Sequence, residues 1–251
     1  MHSDATKGCM QEIAAGVAVF PTLIANAYFV GDAASWVLVD ACKPGNERGI
    51  RSAAEVHFGP GAKPRAIVLT HGHFDHAGSA GPLADLWQVP IYCHELELPF
   101  LTGKKHYPPF NFSSPGFFTK LARFFPTSTV DLGTRVRPFD GSPIGGWRML
   151  DTPGHTPGQV AFFREEGRVL LAGDAVTTMD LDSFFATITK RKQVCRPPVP
   201  ATHDWPTARE SVRRLATLRP SVIAAGHGAP MSDAADGLQQ LADNFAIPAV
   251  A

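Results

Sequence analysis

Four apolar runs in this chain each stop at a residue able to ligate a metal. "AIVLT" stops at His71, "WRMLDTPG" at His155, "VLLAG" at Asp174 and "VIAAG" at His227. Short apolar runs bounded by glycine read as strands buried in a sheet. In open α/β sheets, ligands gather outside the carboxyl ends of the strands. Four such endings call for a fold that brings four strand ends to one edge. Glycines at 72, 78, 154, 158, 173, 226 and 228 let the backbone turn tightly there.

The first ending is the densest. Thr70–Gly78 reads "THGHFDHAG", with His71, His73, Asp75 and His76 inside six residues. His71 and His73 are two apart, so on extended backbone both face one way. Asp75 and His76 follow at once and must point elsewhere. Four donors this close crowd a single tetrahedral ion. Two ions sharing the loop relieve the crowding, each gaining one distant histidine, with a carboxylate free to bridge. Imidazole and carboxylate without thiolate suit zinc, iron, manganese or cobalt.

The surrounding chain reads as alternating α and β. "VAVFPTLIANAYFV" and "WVLVDA" are strands around a Gly-Asp turn, and the run Val37-Leu38-Val39 ends at Asp40. Helical spacing marks "GNERGIRSAAEVHFG", "AGPLADLWQ", "PTARESVRRLATL" and "DAADGLQQLADNFA". "PIYCH", "WRMLD", "QVAFF" and "RVLLAGD" are short strands. Each half of the chain echoes the other, which favours one domain over residues 1–251. Residues 95–130 depart from the pattern. They carry eight aromatics and five prolines, and read as a long loop with a helix of about ten residues around Phe117–Phe125.

Composition narrows the partners. Formal net charge is zero, which removes the electrostatic case for nucleic acid or an anionic membrane. No apolar run reaches the roughly 18–20 residues of a spanning helix. The N-terminus lacks the basic and apolar segments of a signal peptide. Cys9, Cys42, Cys93 and Cys195 form no CxxC pair and read as reduced thiols of a cytoplasmic protein. A charge run, Thr189–Arg196, reads as a solvated face. The expected partner is a small-molecule substrate; a homodimer stays open.

"HGHFDH" is an HxHxDH motif. Asp40 in "VLVDA", His155 in "TPGHTPG", Asp174 in "LAGDA" and His227 in "AAGHG" accompany it in order. With these residues the chain resembles the metallo-β-lactamase-fold hydrolases over essentially its whole length. The resemblance implies an α/β fold, the four-layer αββα sandwich, with the site on its upper edge. It implies two divalent metal ions, zinc foremost, with iron, manganese or cobalt as alternatives. His71, His73 and His155 would hold the first, and Asp75, His76 and His227 the second. Asp174 would bridge them, and Asp40 would orient a ligand or the bound water. The best-known β-lactamases of this fold have cysteine at the Asp174 position. Aspartate there matches the glyoxalase II, lactonase and organophosphate-hydrolase branches.

The expected reaction is hydrolysis. A hydroxide bridging the two ions attacks an ester, thioester or lactone that has an apolar portion, with Asp75 shuttling the proton. The lactonase branch supplies a tyrosine near its bridging aspartate. Thr177 is not one, which leaves Tyr107 as the candidate acid. Phe110, Phe112 and Phe117 are expected to line the substrate pocket, while Phe184 and Phe185 read either as pocket or as core. Glyoxalase II-type hydroxyacylglutathione hydrolysis, organophosphate hydrolysis and β-lactam hydrolysis are alternatives. A persulfide dioxygenase with a single iron is an alternative of a different class, against which the complete second ligand set argues. A nuclease of the RNA-processing branch is disfavoured by the zero net charge.

Overall fold

The structure is a computed structural model describing residues 10–112, 116, 119, 120, 130–189 and 191–248. Its strands fall into two large sheets and a ribbon. The first sheet runs in chain order: β1 (Gln11–Ala14), β2 (Val17–Pro21), β3 (Asn26–Asp32), β4 (Ser35–Val39), β5 (Ile67–Val68), β6 (Ile91–Cys93) and β7 (Val136–Pro138). The β1–β4 pairings are antiparallel and those from β4 to β7 parallel. The second sheet uses β8 (Arg148–Asp151), β9 (Val160–Arg164), β10 (Val169–Gly173), β13 (Val222–Ala225) and β14 (Met231–Ser232), ordered β14-β13-β10-β9-β8. The ribbon pairs β11 (Thr177–Met179) with β12 (Lys192–Cys195).

Side-chain alternation builds the layers. Val17, Val19, Val37 and Val39 face the second sheet, where they meet Val160, Phe162, Val169 and Leu171. Their neighbours Ala18, Phe20, Trp36 and Leu38 face the other way. There they pack under α1 (Glu47–Phe58) and α3 (Ala80–Trp87), whose Ile50, Ala54, Leu83 and Trp87 share that core. Ala161, Phe163, Leu170 and Ala172 likewise face α6 (Trp205–Thr217) and α7 (Ala235–Asp243). Period-two alternation in strands buried on both faces thus yields helix, sheet, sheet, helix. This is the αββα sandwich expected from the sequence.

Strand direction then fixes one edge. β4 and β5 are parallel, so Asp40 and His71 emerge together. β8 and β10 are each antiparallel to β9, and β13 is parallel to β10, so His155, Asp174 and His227 follow strands that point one way. Two backbone bonds tie the sheets along this edge, Val160 N–H to Thr70 O at 2.9 Å and Asn26 N–H to Gly226 O at 2.8 Å.

The aromatic insert differs from its reading as a loop. Glu95–Glu97 form a 3-10 turn that runs into α4 (Leu98–Leu101). Pro99 stands in the first turn of α4, where its missing N–H costs nothing. The expected helix around Phe117–Phe125 lies outside the described residues, apart from Thr119 and Lys120, which are helical. Lys192–Cys195, within the expected solvated charge run, form β12. Cys42, Cys93 and Cys195 are free thiols, and Cys9 lies outside the described residues. No helix among the described residues is long and apolar enough to cross a membrane.

Candidate metal centre

The first loop turns as its spacing requires. His71 and His73 follow β5, and His73 is on extended backbone. His73 then caps the single turn α2 (Phe74–Ala77), with Ala77 N–H donating to His73 O at 2.9 Å. Entering a helical turn brings Asp75 and His76 to His227, while the His76 ring stays against His71 at 4.1 Å. The result is three groups of potential ligands with donor atoms within 4.8 Å of one another: His71, His73 and His155; His71, His76 and Asp174; and Asp75, His76 and His227. All seven side chains are buried.

Asp174 sits between the histidines. Its Oδ2 lies 3.0 Å from His227 Nε2 and 3.4 Å from His155 Nε2, and its Oδ1 lies 3.4 Å from His76 Nε2. Space for it exists because residue 226 is glycine: a Cβ there would fall onto Asp174 Oδ1 and within 2.5 Å of His76 Cε1.

The outer nitrogens explain why the inner ones converge. Thr202 Oγ1 donates to Pro198 O at 2.7 Å, so at 2.9 Å it accepts from His155 Nδ1–H. Thr70 Oγ1 donates to Asp40 Oδ2 at 2.8 Å, so it accepts from His71 Nδ1–H at 3.1 Å. His76 Nδ1–H donates to Asp40 Oδ2 at 2.8 Å, and His227 Nδ1–H to Ile24 O at 2.6 Å. A neutral imidazole carries one N–H. With Nδ1 as donor in these four, each Nε2 lone pair points inward. His73 presents Nδ1 instead, 3.1 Å from His71 Nε2 and 3.0 Å from His155 Nε2.

Inward lone pairs facing one another suit a cation. His76 Nε2 and Asp174 Oδ1 face each other and neither is otherwise bonded. Burial, reinforced by neighbouring imidazoles, holds His71 and His155 well below the ordinary imidazole range and His73 down to about 3. Those three are therefore neutral and ready to ligate. For His76 and His227, burial also opposes charge, but Asp174 outweighs it at both and Asp40 adds to it at His76, so both are raised. Asp174 is held well below the carboxylate range, because His227 and His76 outweigh its burial. The residues present thus fit divalent metal binding, with Asp174 in reach of histidines from all three groups.

Asp40 is the brace behind His76 and Thr70. Its Oδ1 accepts Thr70 N–H at 2.8 Å, and its backbone takes φ +58°, a left-handed conformation that aspartate tolerates.

Other expected site residues fall elsewhere. The Tyr107 ring lies edge-on to His73, with centroids 4.6 Å apart, and stacks on Phe100 at 4.1 Å. Its hydroxyl donates to the Glu97 carboxylate and not toward Asp174. Burial and the adjacent Glu97 push its pKa well up. The candidate acid is thus held by Glu97, with its ring against His73 of the first group. Phe110 and Phe112 are half-buried and pack edge-on to each other, while Phe117 lies outside the described residues. Phe184 and Phe185, on α5 (Phe184–Thr189), are 52% and 79% exposed, so the core reading of these two is corrected.

Sequence reasoning missed Thr70, Thr202, Glu97 and the carbonyl of Ile24. Thr70 adjoins a ligand and could have been suspected. The others carry no local signal.

The family model described as "Metallo-beta-lactamase superfamily" matches residues 21–227. The probable metallo-hydrolase YflN of Bacillus subtilis is 41% identical over 229 residues, covering 88% of this chain and 87% of its own. The metallo-beta-lactamase family protein TTHA1429 of Thermus thermophilus superposes with TM-score 0.63 at 26% identity, over 93% of this chain and 80% of its own. TTHA1623, solved in a di-iron-bound form, superposes with TM-score 0.61 at 27% identity, over 91% and 98%.

Proposed function

The chain belongs to the metallo-beta-lactamase superfamily, and on that premise we propose that it is a one-domain hydrolase holding two divalent cations and cleaving a small ester, thioester or lactone with an apolar portion. The observation that carries this is Asp174, one carboxylate reaching both His155 of the first group and His76 and His227 of the second. His71, His73 and His155 are the first set of ligands. Asp75, His76 and His227 are the second, and Asp174 is common to both. Zinc fits imidazole and carboxylate donors, and iron is the alternative, supported by the di-iron form of TTHA1623.

When bound, such ions supply Lewis acidity and lower the pKa of water. The chain's own residues do the rest. Asp75, with Oδ2 3.6 Å from His227 Nε2, stands at the mouth of the second group and is the residue to move the proton released by water. Asp40, Thr70, Thr202 and Ile24 hold the imidazole tautomers, so no ligand reorients during turnover. Tyr107, with Phe100 stacked on it, covers the His73 side with aromatic surface, which favours a substrate with an apolar portion and limits water there.

A panel of aryl esters, lactones, S-acyl glutathione, phosphotriesters and a β-lactam, with elemental analysis, tests the reading. Hydrolysis of an ester, thioester or lactone is expected, abolished by chelation and by His71→Ala. A protein loaded with two cations that hydrolyses no member of the panel refutes it.

A further inference from the structure

Glu97 is a buried carboxylate that the chemistry above does not use. It ends the 3-10 turn Glu95–Glu97 and is 0% exposed. Burying a carboxylate costs several kcal/mol unless fixed donors replace its water. The donors here are neutral and specific. Gly72 N–H donates to Oε2 at 2.9 Å, Gly158 N–H donates to Oε1 at 2.7 Å, and the Tyr107 hydroxyl donates to Oε2.

The two peptides are informative by position. Gly72 separates His71 from His73, on the loop after β5 of the first sheet. Gly158 lies three residues past His155, on the loop between β8 and β9 of the second sheet. One side chain therefore grips both loops that supply the first group of ligands. Both peptides reach the carboxylate because neither residue has a side chain. A Cβ on Gly72 would strike the Tyr107 hydroxyl, and one on Gly158 would lie 2.9 Å from Glu97 Cγ.

We propose that Glu97 is the positioning residue of the first cation, stapling the His71–His73 loop to the His155 loop so that their three nitrogens converge. The second group has its own carboxylate brace in Asp40, bonded to His76. Glu97 holds only the two loops of the first group, so its loss is selective for the first cation. This inference rests on the two-cation reading above.

Glutamine at 97 keeps the shape but replaces one acceptor oxygen by an N–H₂, which must face either the Gly72 or the Gly158 N–H. Aspartate keeps the charge but is one methylene too short to hold both loops. Each variant is made in two single-site backgrounds, His227→Ala, which leaves the first group, and His155→Ala, which leaves the second. Zinc affinity is read by chelator competition, with circular dichroism reporting the fold. Losing such an outer-shell contact typically weakens metal binding about 10–100-fold. Glu97→Gln and Glu97→Asp are expected to weaken zinc at least tenfold in the His227→Ala background and by less than threefold in the His155→Ala background. Equal losses in both backgrounds, or none in either, overturn the proposal. So does failure of both variants to fold, because the carboxylate would then be holding the sandwich and not the cation. A parent protein that takes up only one zinc refutes the two-cation reading instead. The role of Glu97 is then decided in the His227→Ala background alone.

Discussion

Asp40→Asn is the substitution with the most calculable consequence. The side chain keeps its size and can still fill its buried pocket. Asp40 accepts three hydrogen bonds: Thr70 N–H at Oδ1, and Thr70 Oγ1–H and His76 Nδ1–H at Oδ2. Asparagine has two placements. If its oxygen keeps the Thr70 peptide, its N–H₂ faces Thr70 Oγ1 and His76 Nδ1. His76 must then give up its Nδ1 proton and carry it on Nε2, where a lone pair is needed. Thr70, now receiving a proton, turns its own toward His71 Nδ1 and drives His71 into the wrong tautomer too. One amide thus disturbs an imidazole in each cation group. If the amide flips, its N–H₂ meets the Thr70 N–H, and a buried peptide donor is left without a partner at a cost of about 1–3 kcal/mol. In the first placement, recovering the ligating tautomer forfeits a hydrogen bond worth about 1–1.5 kcal/mol at each site, or roughly tenfold in affinity per cation. Chelator competition on Asp40→Asn is therefore expected to show both cations weakened about 10–100-fold, the range for outer-shell changes. Both affinities within twofold of the parent, in a folded protein, would refute the tautomer argument.

Two further outcomes follow from the same hydrogen bonds. Thr202→Val deletes the hydroxyl that accepts from His155 Nδ1–H while preserving volume. It is expected to weaken the first cation about 10-fold or more and leave the second unchanged, whereas Thr202→Ser restores parental binding in the same titration. Cation uptake should also be asymmetric in protons. Without metal, Asp174 raises His76 and His227 against their burial and so favours their protonated form, while burial lowers His71, His73 and His155 and favours their neutral form. Filling the second group should release more protons to a pH indicator than filling the first. Equal release from both would contradict this. The stability of the metal-free chain carries both signs. The contribution of His76 and His227 is complete below the unfolded imidazole pKa of about 6.5 and is lost as pH rises through their raised values. The depressed trio contributes above about 6.5 and is lost as pH falls below it, down to about 3 for His73.

Much of the centre was legible because ligands announce themselves. His71, Asp174 and His227 sit where apolar strands stop, and those strands are short, apolar and glycine-bounded. The two-sheet core was legible for the same reason, since Val17, Val19, Val37 and Val39 alternate with residues of the outer faces. What escaped lacked such contrast. β1 is half exposed, and β7 and β12 mix charged with apolar residues, so none shows a clean period. Glu97 shares "ELELP" with Glu95, and nothing local says that only Glu97 is buried among peptide donors. Thr202 lies 47 residues from His155, the histidine it orients. Such partners are chosen by tertiary proximity, which spacing along the chain does not encode. The prolines of residues 95–130 misled in another way: they read as marks of a loop, but Pro99 stands in the first turn of α4.

The ligands come from both sheets, and this sets an order of events for the folding chain. His71, His73, Asp75 and His76 are synthesised early, on a loop that by itself completes none of the three candidate groups. His155, Asp174 and His227 arrive much later, and His227 takes its place only once β13 has paired alongside β10. Contacts of such long sequence separation form late in folding. A cation met by the growing chain therefore finds a weak, unselective half-site. On the proposed metal-binding reading, the ion finally kept is selected by the finished cavity, with imidazoles locked and spacing set, and not by the affinity of a loose histidine loop for whichever transition metal is most abundant.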